Sequence, residues 1–133
     1  MSLVEYWKKR HFKKTSEPTG AAKSKAAEIE LQRATLETSV PQGEQWLHEI
    51  KFDGYRIQAR LDRGHIKLLT RKGLDWVDRF PNIAEAVGML SATSALIDGE
   101  IVVENDQGVS DFSALQAALK EGRVDRFIYY AFD

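Results

Sequence analysis

The chain has 133 residues, 43% of them hydrophobic, and its 19 Lys and Arg stand against 20 Asp and Glu for a net charge of −1. That length and composition predict one domain with a tail and exclude wholesale disorder. The absence of cysteine excludes a disulfide scaffold, a thiolate metal site and a cysteine nucleophile. No apolar run approaches the roughly 20 residues of a membrane span, and the basic stretch Lys8 to Lys14 breaks any early apolar run, so a soluble intracellular chain is expected.

The neutral total hides alternating blocks. Residues 1–25 carry +5, 26–50 carry −4, 51–79 carry +4 and 80–133 carry −6. A basic block can attract phosphates, which concerns partners rather than fold.

Residues 1–27 read as a basic, flexible arm: a short helix from Leu3 to Phe12, then a Lys/Ser/Thr/Ala-rich linker containing Pro18 and Gly20. From Trp46 the period changes to two. Trp46, His48, Ile50 and Phe52 would share one face of a strand, with Lys51 on the polar face. Asp53-Gly54 is then a hairpin turn signal, and Tyr55 to Leu61 the return strand. Arg63-Gly64 makes the next turn and Ile66 to Thr70 the next strand. Pro81 to Leu90 has a helical apolar stripe of Ile83, Val87 and Leu90. Ala95 to Glu104 reads as a strand interrupted, or bulged, at Asp98-Gly99. Asn105 to Gly108 is a turn. Ser110 or Asp111 can cap a helix to about Lys120, which Gly122 stops. Phe127 to Phe132 is a last aromatic strand. This order predicts an α+β fold, mostly antiparallel sheet with inserted helices. Trp46 and Trp76 are expected in the core. The chain stops directly after its last apolar strand, which reads as part of something longer.

The chemistry centres on Glu49-Ile50-Lys51-Phe52-Asp53-Gly54-Tyr55-Arg56. Taken alone, Lys51 is a solvated lysine beside a turn. To act as a nucleophile it must present a neutral amine, which requires desolvation or nearby cations to depress a pKa normally about 10.4. Arg56 and Arg71 are the available cations. Lys51-Phe52-Asp53-Gly54-Tyr55-Arg56 fits the K-x-D-G-x-R signature and resembles the covalent nucleotidyltransferases: ATP-dependent DNA ligases, RNA ligases and messenger-RNA capping enzymes. Arg71-Lys72-Gly73 resembles the R-x-G element of the ligases, and Asp98-Gly99-Glu100 resembles their D-G-E element. Phe127 to Asp133 resembles the aromatic element that follows. All four lie in the family's order between about Glu28 and Asp133.

The flanks narrow the resemblance. Trp46 to Arg56, Arg79-Phe80-Pro81, Leu96 to Val102 and Phe112 to Gln116 look like the bacterial ligase D group of non-homologous end joining. Tyr6 to Phe12, with Thr15, Glu17-Pro18 and Gly20, resembles the opening of the phosphoesterase module often fused to those ligases. The module's metal-binding histidines have no counterpart, so no phosphoesterase activity is expected.

The resemblance thus implies that residues 28–133 are the N-terminal portion of an ATP-grasp-like adenylation domain. Its implied substrates are ATP, with Mg²⁺ or Mn²⁺, and nicked or broken double-stranded DNA. Lys51 would be the nucleophile that takes AMP. Glu49 would lie near the adenine edge, Arg56 at the sugar or the nick, Glu100 on the ribose and Phe132 under the adenine. Arg71 would hold a DNA phosphate, and Asp53 and Asp98 would organise turns. The metal ligands are not identified, because the family's later acidic and K-x-K elements have no match in this chain. A Ku-type end-binding partner and a cytoplasmic, nucleoid-associated location in a bacterium are also implied. Exposed sheet edges raise the prospect of dimerisation. An RNA ligase or capping enzyme is the nearest alternative, and the Arg71-x-Gly73 spacing argues against it. A non-catalytic DNA-binding remnant or a passive structural domain are the others.

Overall fold

The computed structural model describes residue 31 and residues 33–133. The expected arm and its helix over Leu3 to Phe12 lie outside the described residues. Four strands form one antiparallel sheet: β1 (Tyr55–Asp62), β2 (His65–Thr70), β3 (Ser94–Val102) and β4 (Ile128–Ala131). Their order across the sheet is β2-β1-β3-β4. Two helices, α1 (Pro81–Gly88) and α2 (Phe112–Glu121), are inserted between strands. The expected α+β class, a mostly antiparallel sheet with inserted helices, is therefore observed.

Local chemistry explains most boundaries. Arg63 and Gly64 both have positive φ, 48° and 84°, and join β1 to β2 as a two-residue turn with Asp62 opposite His65. Pro81 opens α1, where its missing N–H costs nothing, and α1 buries Ile83, Ala84 and Val87. The Asp111 side chain caps α2 by accepting from the Ala114 N–H at 2.9 Å, and Gly122 ends it in the left-handed conformation.

The two faces of the sheet differ because strand side chains alternate. Ile57, Ala59 and Leu61 of β1, Leu68 of β2 and Ile101 of β3 point to one face. There they join Phe80, Ile83, Val87, Leu115, Ala118 and Phe127 in a continuous buried cluster. The other face carries Arg56, Gln58 and Arg60 of β1, Asp98 and Glu100 of β3, and Tyr130 of β4.

Several expectations are corrected. No strand forms over Trp46 to Phe52, and Asp53-Gly54 is not a hairpin turn: the chain enters β1 directly. The alternation there is real, but no described strand pairs with it, and period without a ladder does not make a strand. Trp46 is 53% exposed rather than in the core, whereas Trp76 does pack against the core cluster. β3 runs unbroken through Asp98 and Gly99, with Gly99 in register between Ile57 and Ala131. Gly99 is explained by its neighbour instead. A Cβ there would lie 2.5 Å from both the Tyr129 ring and the Tyr130 carbonyl oxygen. The Tyr129 ring crosses this gap so that its hydroxyl can donate to the Ile57 and Ile97 carbonyls, at 2.8 and 3.0 Å. Finally, α1 ends at Gly88, short of Leu90.

Candidate active site on the polar face of the sheet

Cross-strand register assembles the site. Arg56 lies opposite Glu100, and Glu100 lies opposite Tyr130, so one row of the polar face crosses β1, β3 and β4. Asp98, two residues before Glu100, projects to the same face. It meets the Arg56 guanidinium as a fork, Nε to Oδ1 at 3.0 Å and an outer nitrogen to Oδ2 at 2.6 Å. Such a bidentate pair fixes both charge and plane. The hydrogen bond to Asp98 raises the Arg56 pKa above its ordinary value, outweighing the opposite effect of partial burial. Asp98 is thus an ion-pair partner rather than the expected turn organiser, because mid-strand its carboxylate faces β1 and not its own backbone.

The Arg56 guanidinium also lies over the Phe132 ring, 5.3 Å from its centroid. Phe132 follows β4 and is 52% exposed, leaving ring surface open to solvent. Glu100 accepts a hydrogen bond from the Gly54 N–H at 2.9 Å. Only glycine fits at Gly54: a Cβ would stand 2.1 Å from the Ile101 carbonyl oxygen. This close approach on β3 is what replaces the expected turn.

Lys51 lies three residues before Gly54, exposed, in a stretch without regular structure. The chain just after it is tied down. Phe52 stacks on Tyr130 with centroids 4.2 Å apart and planes 10° from parallel. The Asp53 N–H donates to Ser110 Oγ at 2.9 Å, so Asp53 is held through its backbone. The Tyr130 hydroxyl donates to Glu104, whose carboxylate raises the tyrosine pKa.

The structure thus brings Arg56, Glu100 and Phe132 together and tethers the Lys51 segment to them. It does not bring in Glu49, which is exposed and lines a shallow groove with Glu37 to Pro41, Leu47 and His48. Arg71 sits exposed in the turn after β2. Thr70 pairs with Ile57, so the strand direction carries Arg71 toward the end of the sheet where Arg56 stands. Arg56 is committed to Asp98 rather than free to act on Lys51. Sequence reasoning missed Asp98, Tyr130 and Phe52 as members of the site. A signal existed for two of them: Asp98 stands two residues before Glu100 on β3, and Tyr130 two residues before Phe132 at the end of β4. Among the described residues no group of three or more His, Asp or Glu is gathered to hold a metal ion, and no helix is long and apolar enough to cross a membrane.

The antiparallel sheet thus gathers an Arg–Asp fork, a glutamate and an open aromatic ring on its polar face, beside the Lys51 segment. Residues 21–133 match the model of the ATP dependent DNA ligase domain, and the chain belongs to that family. It is 44% identical over 100 residues to the multifunctional non-homologous end joining protein LigD of Pseudomonas aeruginosa, covering 75% of this chain and 12% of that protein. The chain therefore spans about an eighth of that relative's length. Among solved structures it resembles the ligase domain of Mycobacterium tuberculosis LigD, with 35% identity and a TM-score of 0.55 over 64% of this chain and 27% of that one. It also resembles a mycobacterial DNA ligase D complexed with ATP and MES, with 33% identity and a TM-score of 0.54 over the same shares.

Proposed function

We propose that the chain is the nucleotide-binding part of an ATP-dependent DNA ligase that works in end-joining repair, with Lys51 as the residue that takes AMP. The observation that carries the proposal is the grouping of Arg56, Glu100 and Phe132 on one face, with the Lys51 segment hydrogen-bonded to Glu100 through Gly54. ATP is here the substrate. The neutral Lys51 amine attacks the α-phosphorus, a nitrogen–phosphorus bond forms, and the bond to pyrophosphate breaks with its electron pair leaving on oxygen. The amine proton passes to solvent. A 5′-phosphate oxygen at a DNA break then displaces Lys51 from the AMP. The adjacent 3′-hydroxyl attacks that activated phosphate, and AMP leaves. Every step is displacement at phosphorus, where positioning and charge neutralisation dominate.

In this reading Phe132 stacks on the adenine. Its ring already carries a flat, delocalised guanidinium at 5.3 Å, which is support for a planar partner there. Glu100 holds the ribose, Arg56 the sugar or the nick, Arg71 a DNA phosphate, and Glu49 the adenine edge. A divalent cation, Mg²⁺ or Mn²⁺, suits phosphate oxygens. The described residues gather no site for it, since Asp98 is engaged by Arg56 and Glu100 by Gly54.

The implied partners are broken duplex DNA and a Ku-type end-binding protein. Self-association would use the outer edge of β4, because segment 74–76 already hydrogen-bonds the outer edge of β2. Labelling with ATP and GTP, followed by addition of a nicked duplex with a 5′-phosphate, tests the function. The proposal expects AMP on the protein from ATP alone, chased into DNA. GMP labelling would favour a capping enzyme, and DNA binding without any labelling would favour a non-catalytic remnant.

A further inference from the structure

The three residues that follow Lys51 are each held by a different part of the fold. Phe52 stacks on Tyr130 of β4, the Asp53 N–H binds Ser110 in the loop before α2, and the Gly54 N–H binds Glu100 of β3. On the other side, Ile50 is 81% exposed and Leu47 84%. Lys51 therefore stands where a tethered chain meets an exposed one. The backbone tethers hold Asp53 and Gly54, but only the Phe52 ring is adjacent to Lys51. Its platform is itself braced. Tyr130 donates its hydroxyl to Glu104, and the Glu104 carbonyl accepts from Arg126 at 3.2 Å. The Phe52–Tyr130 stack is thus the last rigid link between the sheet and the Lys51 backbone.

We propose that Phe52 and Tyr130 are positioning residues for Lys51: the stack fixes where its amine stands relative to the Arg56–Glu100–Phe132 face, and the Glu104 hydrogen bond sets the plane of the stack. The inference rests on the reading of Lys51 as the residue that takes AMP. It adds that attack at phosphorus depends on an aromatic pair that acts through the backbone of Lys51. Misplacing a reacting group by about 1 Å can cost on the order of 100-fold in rate. An aromatic pair shifts a local equilibrium by up to about tenfold.

The test compares wild type with Tyr130→Leu, Phe52→Leu, Phe52→Tyr and Tyr130→Phe. The AMP adduct is followed by intact mass over a range of ATP concentrations, and amide hydrogen exchange is read over residues 46–54 and over the strands. Tyr130→Leu and Phe52→Leu are expected to slow adduct formation at saturating ATP about tenfold or more, while the half-saturating ATP concentration moves less than about twofold. Phe52→Tyr keeps both the stack and its brace and should keep most of the rate, whereas Tyr130→Phe keeps the stack but loses the Glu104 hydrogen bond and should fall between wild type and the Leu variants. Exchange at Phe52 to Gly54 should rise in the Leu variants while β1 and β3 stay protected. Unchanged rate and unchanged exchange in the Leu variants would overturn the proposal. So would loss of protection throughout the sheet, which would make the pair a general structural contact. If wild type forms no adduct, the reading of Lys51 fails; local exchange in the Leu variants then still decides whether the stack orders its backbone.

Discussion

Asp98 and Glu100 leave the same face of β3, yet they serve Arg56 and Gly54 respectively. The Arg56–Asp98 fork is partly buried, with side chains 30% and 15% exposed, so it is neither a free surface pair nor a fully desolvated one. Asp98→Ala leaves the guanidinium without its partner and should cost about 1–3 kcal/mol in urea unfolding. The residue between them is as constrained. Gly99→Ala pushes a methyl into the Tyr129 ring and the Tyr130 backbone, and should cost about 1–3 kcal/mol or more, measured the same way. The D-G-E triplet is therefore legible as a motif, but its glycine is explained only by an aromatic ring thirty positions away in sequence. Nothing local to Asp98 announces Tyr129.

Strand β4 shows how one element serves both faces. Tyr130 faces the site, while Tyr129 faces the core, where burial pushes its hydroxyl up to about 12. The sign of the consequence is fixed. Below pH 10 both folded and unfolded chains keep the phenolic proton. Between pH 10 and about 12 the unfolded chain releases it and the folded one does not, so stability falls as pH rises through that window. Tyr130, also raised, adds in the same direction. Thermal melts of Tyr129→Phe should show a shallower loss over that range, from a lower starting stability, because the hydroxyl bridge between β1 and β3 is gone. Helix α2 gives a simpler case: Asp111→Ala removes the cap on Ala114 and should cost about 1 kcal/mol in the same melts.

Elements with local signals were readable. The Arg63-Gly64 turn, Pro81 at the start of α1, and the Asp111 and Gly122 ends of α2 all follow from turn and cap chemistry. The segment from Trp46 to Asp53 misled because alternation was its only evidence. Whether it pairs depends on a partner strand, and Gly54 turns out to abut the β3 backbone rather than to reverse the chain.

At the scale of the whole molecule, the polar face joins the Arg56–Glu100–Phe132 group to a basic flank. Arg60 and Lys67 are directly opposite across β1 and β2. Like charges so placed repel, and a polyanion laid along the face relieves them. Binding of a nicked duplex should weaken steeply with salt, and Lys67→Gln should lower the slope of log affinity against log salt by about 1. The motif residues could be recognised one by one from sequence. Their union could not, because it depends on the β1–β3–β4 register that sets Arg56, Glu100 and Tyr130 in one row.

The central claim is that Lys51 takes AMP. The most direct measurement is intact mass, with peptide mapping, after incubation with ATP and Mg²⁺, beside Lys51→Ala. The account predicts one added AMP on the peptide that carries Lys51, and none in the variant. An adduct that persists in Lys51→Ala, or maps to another residue, would contradict it.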